Sequence, residues 1–172
     1  MKTKSKLILQ ILFLCFALVF IYIRPVRLIM VNGESMMPTY RSHQPVFAVR
    51  SSHYDRGDIV VLKENNEQLI KRIAATAGDK FWCLMWYDQV GITQTECFFG
   101  ANAYVEAKAY SHDIAKALRY NQENKRHYMV LKQRTVSKNC VFLLGDNRKA
   151  SLDSRFFGEI NVKNIMYKVI EY

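Results

Sequence analysis

Apolar positions along this chain form one long block followed by a series of short runs. From Leu7 to Ile23 the sequence reads LILQILFLCFALVFIYI, 17 residues in which Gln10 is the only strongly polar side chain. As a helix at 1.5 Å per residue the block covers about 25 Å, a little short of a hydrocarbon core of roughly 30 Å. Arg24 and Arg27 can snorkel and Tyr22 can sit in the interface, so the block predicts a transmembrane anchor over 7–23. A cleaved secretory signal needs small residues at the end of its apolar run, whereas this one ends in Ile-Tyr-Ile-Arg-Pro. Lys2, Lys4 and Lys6 precede the block and two arginines follow it, a bias that puts residues 1–6 in the cytoplasm and 24–172 across the membrane.

Beyond the anchor the apolar runs are short and rich in Val, Ile, Leu, Phe and Tyr. They predict strands at Val26 to Asn32, Val46 to Val49, Asp58 to Lys63, Leu69 to Ala74, His127 to Gln133 and Val141 to Leu144. Turn residues separate them at Asn32-Gly33, Asp55-Arg56-Gly57, Glu64-Asn65-Asn66, Gly78-Asp79 and Gly145-Asp146-Asn147. One helix is expected from a Ser111 cap, with Ile114, Ala117 and Leu118 on one face and Lys116 and Arg119 turned outward. The pattern is that of a mainly β domain, without internal repeat, low-complexity tract or Gly-rich phosphate loop.

Composition narrows this further. A length of 172 residues allows one compact domain plus appendages, and 13% aromatic with 23% charged residues excludes collagen-like, mucin-like and disordered classes. The net charge of +10 favours an anionic partner, and the anchor makes membrane phospholipid, not nucleic acid, the expected one. Cys15 lies in the anchor; in oxidising surroundings Cys83 and Cys97 can close a loop of about 15 residues, leaving Cys140 single. No C-x-x-C or His-x3-His spacing is present and His43, His53, His112 and His127 are scattered, so neither metal nor cofactor is expected.

Three segments carry candidate chemistry. Ser35, in Asn-Gly-Glu-Ser-Met-Met-Pro-Thr, lies between a strand end and a Pro-fixed segment that can hold its hydroxyl exposed, and Gly33 lets backbone pass close to a bound substrate. Lys71 sits beside apolar Leu69 and Ile70, where desolvation lowers a lysine pKa and yields the neutral amine that can take a proton from a serine. The run Gly145 to Arg155 is dense in short hydrogen-bonding side chains and opposite charges, which suits a rigid loop braced by its own bonds. Each segment alone also fits an ordinary turn, an outward-facing lysine or a surface loop.

Taken in order after an anchor, these segments resemble the bacterial type I signal peptidases, membrane-bound Ser/Lys proteases that remove signal peptides from exported proteins. Ser-Met-Met-Pro-Thr at 35–39 resembles that family's nucleophile box and Tyr-Asp-Arg-Gly-Asp-Ile-Val-Val at 54–61 the strand box after it. Lys-Arg-Ile-Ala-Ala-Thr-Ala-Gly-Asp at 71–79 resembles the lysine box, and Gly-Asp-Asn-Arg-x-x-Ser-x-Asp-Ser-Arg-x-x-Gly at 145–158 the last one. The resemblance implies an antiparallel β catalytic domain over 24–172, with 81–138 as a small variable insertion. It also implies a single-pass protein of the bacterial inner membrane with an extracytoplasmic active site; a monomer is expected.

By position, the resemblance makes Ser35 the nucleophile and Lys71 the general base that later protonates the leaving amine. Ser151 matches a serine that orients the lysine amine, Asp153 and Arg155 a supporting ion pair, and Arg72 and Asp146 charges that brace the same loop. The expected oxyanion donor is the Ser35 N–H, with the second donor unassigned because the position two before the nucleophile is Gly33. An extended signal peptide is expected between the strands near Leu28 to Asn32 and Gln68 to Lys71, with Met36 either lining a side-chain pocket or filling core. Arg-Ser-His-Gln-Pro at 41–45 and Thr-Ala-Gly-Asp at 76–79 depart from the family pattern at turns. That divergence and the short length leave a second reading, a Ser/Lys peptidase dedicated to pilin or conjugative-transfer proteins. A basic membrane-anchored binding module rests on charge alone and lacks any nucleic-acid-binding motif.

Overall fold

The computed structural model describes residues 6, 8, 10–16, 26–64, 66–87, 92–120 and 128–171. Of the expected anchor, residues 8 and 10–16 are helical and exposed, and the remainder lies outside the described residues. Among the described residues no helix is long and apolar enough to cross a membrane.

Among the described residues ten strands form two antiparallel sheets. The larger one is built from β1 (Arg27–Met30), β2 (Pro45–Val49), β3 (Ile59–Glu64), β4 (Glu67–Thr76), β8 (Cys140–Leu144), β9 (Ile160–Asn161) and β10 (Ile165–Val169), in the order β1-β2-β10-β3-β4-β8-β9. The smaller is built from β5 (Lys80–Tyr87), β6 (Ile92–Phe99) and β7 (Tyr128–Thr135), with β5 in the centre. Helix α1 (Ala103–Tyr120) joins β6 to β7, and a short helix α2 (Ser154–Phe157) follows β8.

The six expected strands all form, within two or three residues of their expected bounds. Strands β5, β6, β9 and β10 were not expected. Strand β5 reads KFWCLMWY, apolar on both faces, so it shows no period-two alternation. Helix α1 starts eight residues before the expected Ser111 cap. Ser111 lies in its interior, its hydroxyl donating to the Lys108 carbonyl at 2.7 Å, which satisfies the side chain without ending the helix. The helix is anchored instead by its first turns, where Ala103 and Ala107 are buried, while the expected face from Ile114 to Leu118 lies outside the described side chains.

Core lies on both faces of the large sheet, which explains why β3 is apolar at four successive positions. Ile59 and Val61 pack with Ile29, Val31, Met36, Val46 and Ile70, whereas Val60 and Leu62 pack with Ile73, Val141, Leu143 and Ile165. Strand β8 divides its side chains in the same way, and Phe142 and Leu144 meet Ala75, Phe81 and Cys83 in a third cluster that joins the two sheets. There the Phe81 ring centroid is 4.6 Å from that of Phe142 and 5.0 Å from that of Phe99. Each such buried aromatic contributes about 1.5–3 kcal/mol. Cys83 and Cys97 face each other across β5 and β6 and form a disulfide, with Cys140 free.

Candidate active site

The site begins where β1 ends. Gly33 adopts φ +81°, a conformation that side chains disfavour, and turns the chain out of the strand. The next residues wind into a compact turn, with the Met37 N–H donating to the Glu34 carbonyl at 3.1 Å and the Tyr40 N–H to the Met36 carbonyl at 2.9 Å. Met36 points into the core at 1% exposure, pinning the turn from below, while Ser35 stays half-buried at its surface. Met36 is therefore core filler and offers no open wall to a peptide, which corrects its expected place in a substrate pocket. Gly33 remains exposed with open space beside its Cα, and its N–H donates to Ser42 Oγ at 3.1 Å.

Lys71 approaches from β4, opposite Val60 of β3. Its Nζ lies 2.9 Å from Ser35 Oγ and 3.0 Å from the Ile70 carbonyl oxygen, and the residue is 3% exposed. Burial lowers the Lys71 pKa by penalising the ammonium, against a smaller opposing pull from the Asp153 carboxylate. The neutral amine has a lone pair and can accept the Ser35 hydroxyl proton; the ammonium can only donate. Among the described residues the Ser35 N–H has no acceptor, which leaves it available as a donor.

The loop after β8 closes the site from the third side. Asp153, fully buried, accepts from the Gly145 N–H at 3.0 Å and the Arg155 N–H at 3.2 Å. It also takes the Arg155 guanidinium in a fork, at 2.9 Å from Nε and 3.1 Å from Nη2. Ser154 Oγ accepts from the Leu143 N–H at 2.9 Å, tying the start of α2 to β8. A second fork joins Arg72 to Asp146 at 2.9 Å on both oxygens, with Arg72 Nη1 donating to the Gly57 carbonyl at 2.8 Å. Burial by itself raises the Asp146 pKa, but hydrogen bonds from Arg72 and Thr39 together with the Arg72 charge outweigh it and hold the carboxyl below its usual range.

Apart from Met36, the expected residues thus converge, with one difference in how they bond. Ser151 is buried and close to the site, but its Oγ has no hydrogen-bond partner, and the Lys71 amine bonds to Ser35 and the Ile70 carbonyl instead. The expected Ser151–Lys71 hydrogen bond is not formed. Sequence reasoning missed two participants. Thr39 donates to Asp146 at 2.5 Å, and Glu96 of β6 bonds Arg155 Nη1 at 3.3 Å, across 107 and 59 residues of chain respectively. Thr39 lies inside the Ser-Met-Met-Pro-Thr motif, whereas nothing local distinguishes Glu96. No group of three or more His, Cys, Asp or Glu that could hold a metal occurs among the described residues.

Comparison with known proteins places the chain in a family. The family model described as signal peptidase, peptidase S26, matches residues 4–171. Signal peptidase I of Bacillus caldolyticus is 29% identical over 151 residues, covering 81% of this chain and 74% of that protein. Signal peptidase I S of Bacillus subtilis strain 168 is 32% identical over 135 residues, covering 73% of this chain and 64% of its own. A crystal structure of a signal peptidase I from Enterococcus faecalis V583 aligns with 21% identity over 70% of this chain and 98% of that chain, at a TM-score of 0.38. A match from residue 4 to residue 171 shows that the chain belongs to the signal peptidase family, peptidase S26, a family of serine peptidases.

Proposed function

We propose that this chain is a membrane-anchored signal peptidase I that cuts N-terminal signal peptides from exported preproteins with a Ser35/Lys71 dyad. The observation that carries the reading is the 2.9 Å contact between Lys71 Nζ and Ser35 Oγ in a setting where burial favours the neutral amine. Lys71 takes the Ser35 proton as Oγ attacks the scissile carbonyl, and the Ser35 N–H stabilises the oxyanion that forms. The resulting ammonium protonates the leaving amine, and the acyl-enzyme is released by a water that Lys71 deprotonates in turn. Asp153, Arg155, Arg72 and Asp146 hold the loop beside the lysine in register.

The substrate lies extended against two strands. Among the described residues β1 pairs only with β2, and the first half of β4 pairs only with β3, leaving a free edge on each beside the dyad. Backbone pairing along such an edge supplies affinity for an extended peptide whatever its side chains. The apolar block over 7–23 anchors the chain in the bacterial inner membrane, with residues 1–6 cytoplasmic and the β domain outside, where the Cys83–Cys97 disulfide suits an oxidising compartment.

The test is cleavage of a preprotein and of a pilin precursor by the detergent-solubilised chain, alongside Ser35→Ala and Lys71→Met variants. Wild type should cut the preprotein and both variants should be inactive. Cleavage of the pilin precursor alone would replace this reading with a dedicated maturation peptidase, and wild type inert toward both would remove the protease reading.

A further inference from the structure

Arg155 is held on every nitrogen of its guanidinium, and not all of its partners belong to its own loop. Nε and Nη2 grip Asp153, Nη2 also donates to the Arg148 carbonyl at 2.6 Å, and Nη1 meets Glu96 Oε1 at 3.3 Å. Glu96 stands on β6, in the small sheet, next to Cys97 of the disulfide. The Arg155 side chain is 3% exposed and that of Glu96 24%, so this pair lies largely out of solvent.

That placement has a cost. Burial raises the Glu96 pKa, against the opposing pull of Arg155 and Arg148 and with a smaller like-charge contribution from Asp153. Asp153 already pairs with Arg155 through two nitrogens, and Glu96 offsets part of the nearby Arg148 charge as well. What Glu96 adds is direction: it fixes the one nitrogen that Asp153 and the loop carbonyls leave free, and so fixes the guanidinium plane. Asp153 in turn bonds the Gly145 N–H and faces Lys71 electrostatically.

We propose that Glu96 is a positioning residue for the dyad: through Arg155 it locks the small β5–β6–β7 sheet to the loop 145–155 and thereby sets the geometry at Ser35 and Lys71. The inference rests on the Ser/Lys reading given above. The small sheet is then a strut of the active site.

The test compares wild type with Glu96→Ala, Glu96→Gln and Arg155→Lys, and with the double variant Glu96→Ala/Arg155→Lys, in preprotein cleavage by the full chain. Glu96→Ala should lower kcat roughly fivefold with KM unchanged, since sub-ångström misplacement acts on the chemical step. Glu96→Gln, whose amide oxygen still accepts from Nη1, should retain more than half of the activity. The double variant should lose no more than Arg155→Lys alone, because the Glu96–Arg155 contact is already lost in that variant. Glu96→Ala within twofold of wild type, or losses that add in the double variant, would overturn the proposal. So would a Glu96→Gln as impaired as Glu96→Ala, an outcome that holds even if the alanine variant folds poorly. Wild type without activity fails the dyad reading itself, whereas an active wild type beside an unaffected Glu96→Ala fails this inference alone.

Discussion

The carbonyl oxygen of Ser35 accepts a hydrogen bond from the Asn147 N–H at 2.9 Å, so the turn carrying the candidate nucleophile is docked onto a loop more than a hundred residues away. The contact is tight. Gly145 lies so close that a Cβ on it would overlap Ser151 Oγ and Cβ and the Ser35 carbonyl oxygen. Backbone proximity, more than side-chain chemistry, keeps the serine within reach of Lys71.

Gly145→Ala should therefore inactivate without removing any catalytic group. The added methyl must push the loop or the serine turn aside, and a shift near 1 Å can cost about a hundredfold in rate. Cleavage kinetics beside a thermal melt check this: kcat should fall at least tenfold while the protein remains folded. Retained activity would mean that the turn and the loop yield independently of the dyad.

Activity should rise with pH as Lys71 loses its proton. Because burial lowers the Lys71 pKa, the midpoint should fall below the ordinary lysine value of about 10.4. The sign for stability is the same: in the window between the lowered folded pKa and the unfolded one, the unfolded state binds more protons, so stability increases with pH there. A kcat/KM profile across pH tests the first statement. An ascending limb at the ordinary lysine value would contradict the burial argument.

Asp153→Asn should destabilise strongly, because it leaves the Arg155 guanidinium, 3% exposed, without its main counter-charge. Breaking one side of a buried ion pair typically costs about 3–5 kcal/mol. Denaturant unfolding of the full chain should show a clear fall in midpoint. Arg155→Ala, which strands the fully buried Asp153, should fall by a similar amount.

Removing Asp146 should act more mildly. Its pair with Arg72 is partly exposed, with side-chain exposures of 15% and 30%, so Asp146→Ala is expected to cost about 1–2 kcal/mol. Arg72 keeps its bond to the Gly57 carbonyl and its contact with Glu171. The stabilisation depends on an ionised carboxylate with a depressed pKa, so wild type should lose it as pH falls through that value, while Asp146→Ala shows no such loss.

Reduction of the Cys83–Cys97 disulfide should lower stability by about 3 kcal/mol, the value for closing a loop of roughly 15 residues. A Cys83→Ala/Cys97→Ala variant should melt at a lower temperature than oxidised wild type and respond no further to reductant. Equal melting of the oxidised and reduced wild type would show that the β5–β6 ladder alone fixes this hairpin.

Much of the site was legible because its chemistry is local. Ser35, Lys71, Asp146, Asp153 and Arg155 stand in short motifs whose turns and alternating strands follow from side-chain type at neighbouring positions. The small sheet was harder to read: β5 has core on one face and α1 beside the other, so its apolar side chains follow no period. Helix α1 was misplaced at its start because Ser111, a residue type that often caps helices, here lies inside the helix and bonds the Lys108 carbonyl.

Sequence by itself determined the strand-rich core, the candidate Ser35 and Lys71 pair, the Asp153–Arg155 ion pair and a basic chain with an apolar N-terminal block. Only tertiary structure decided that Met36 is buried, that Lys71 bonds the Ile70 carbonyl and not Ser151, and that Glu96 reaches Arg155. The division has a physical cause. Propensity, turn chemistry and motif spacing act within a few residues, whereas desolvation and the last free direction of a donor depend on which distant strands the sheet order brings together.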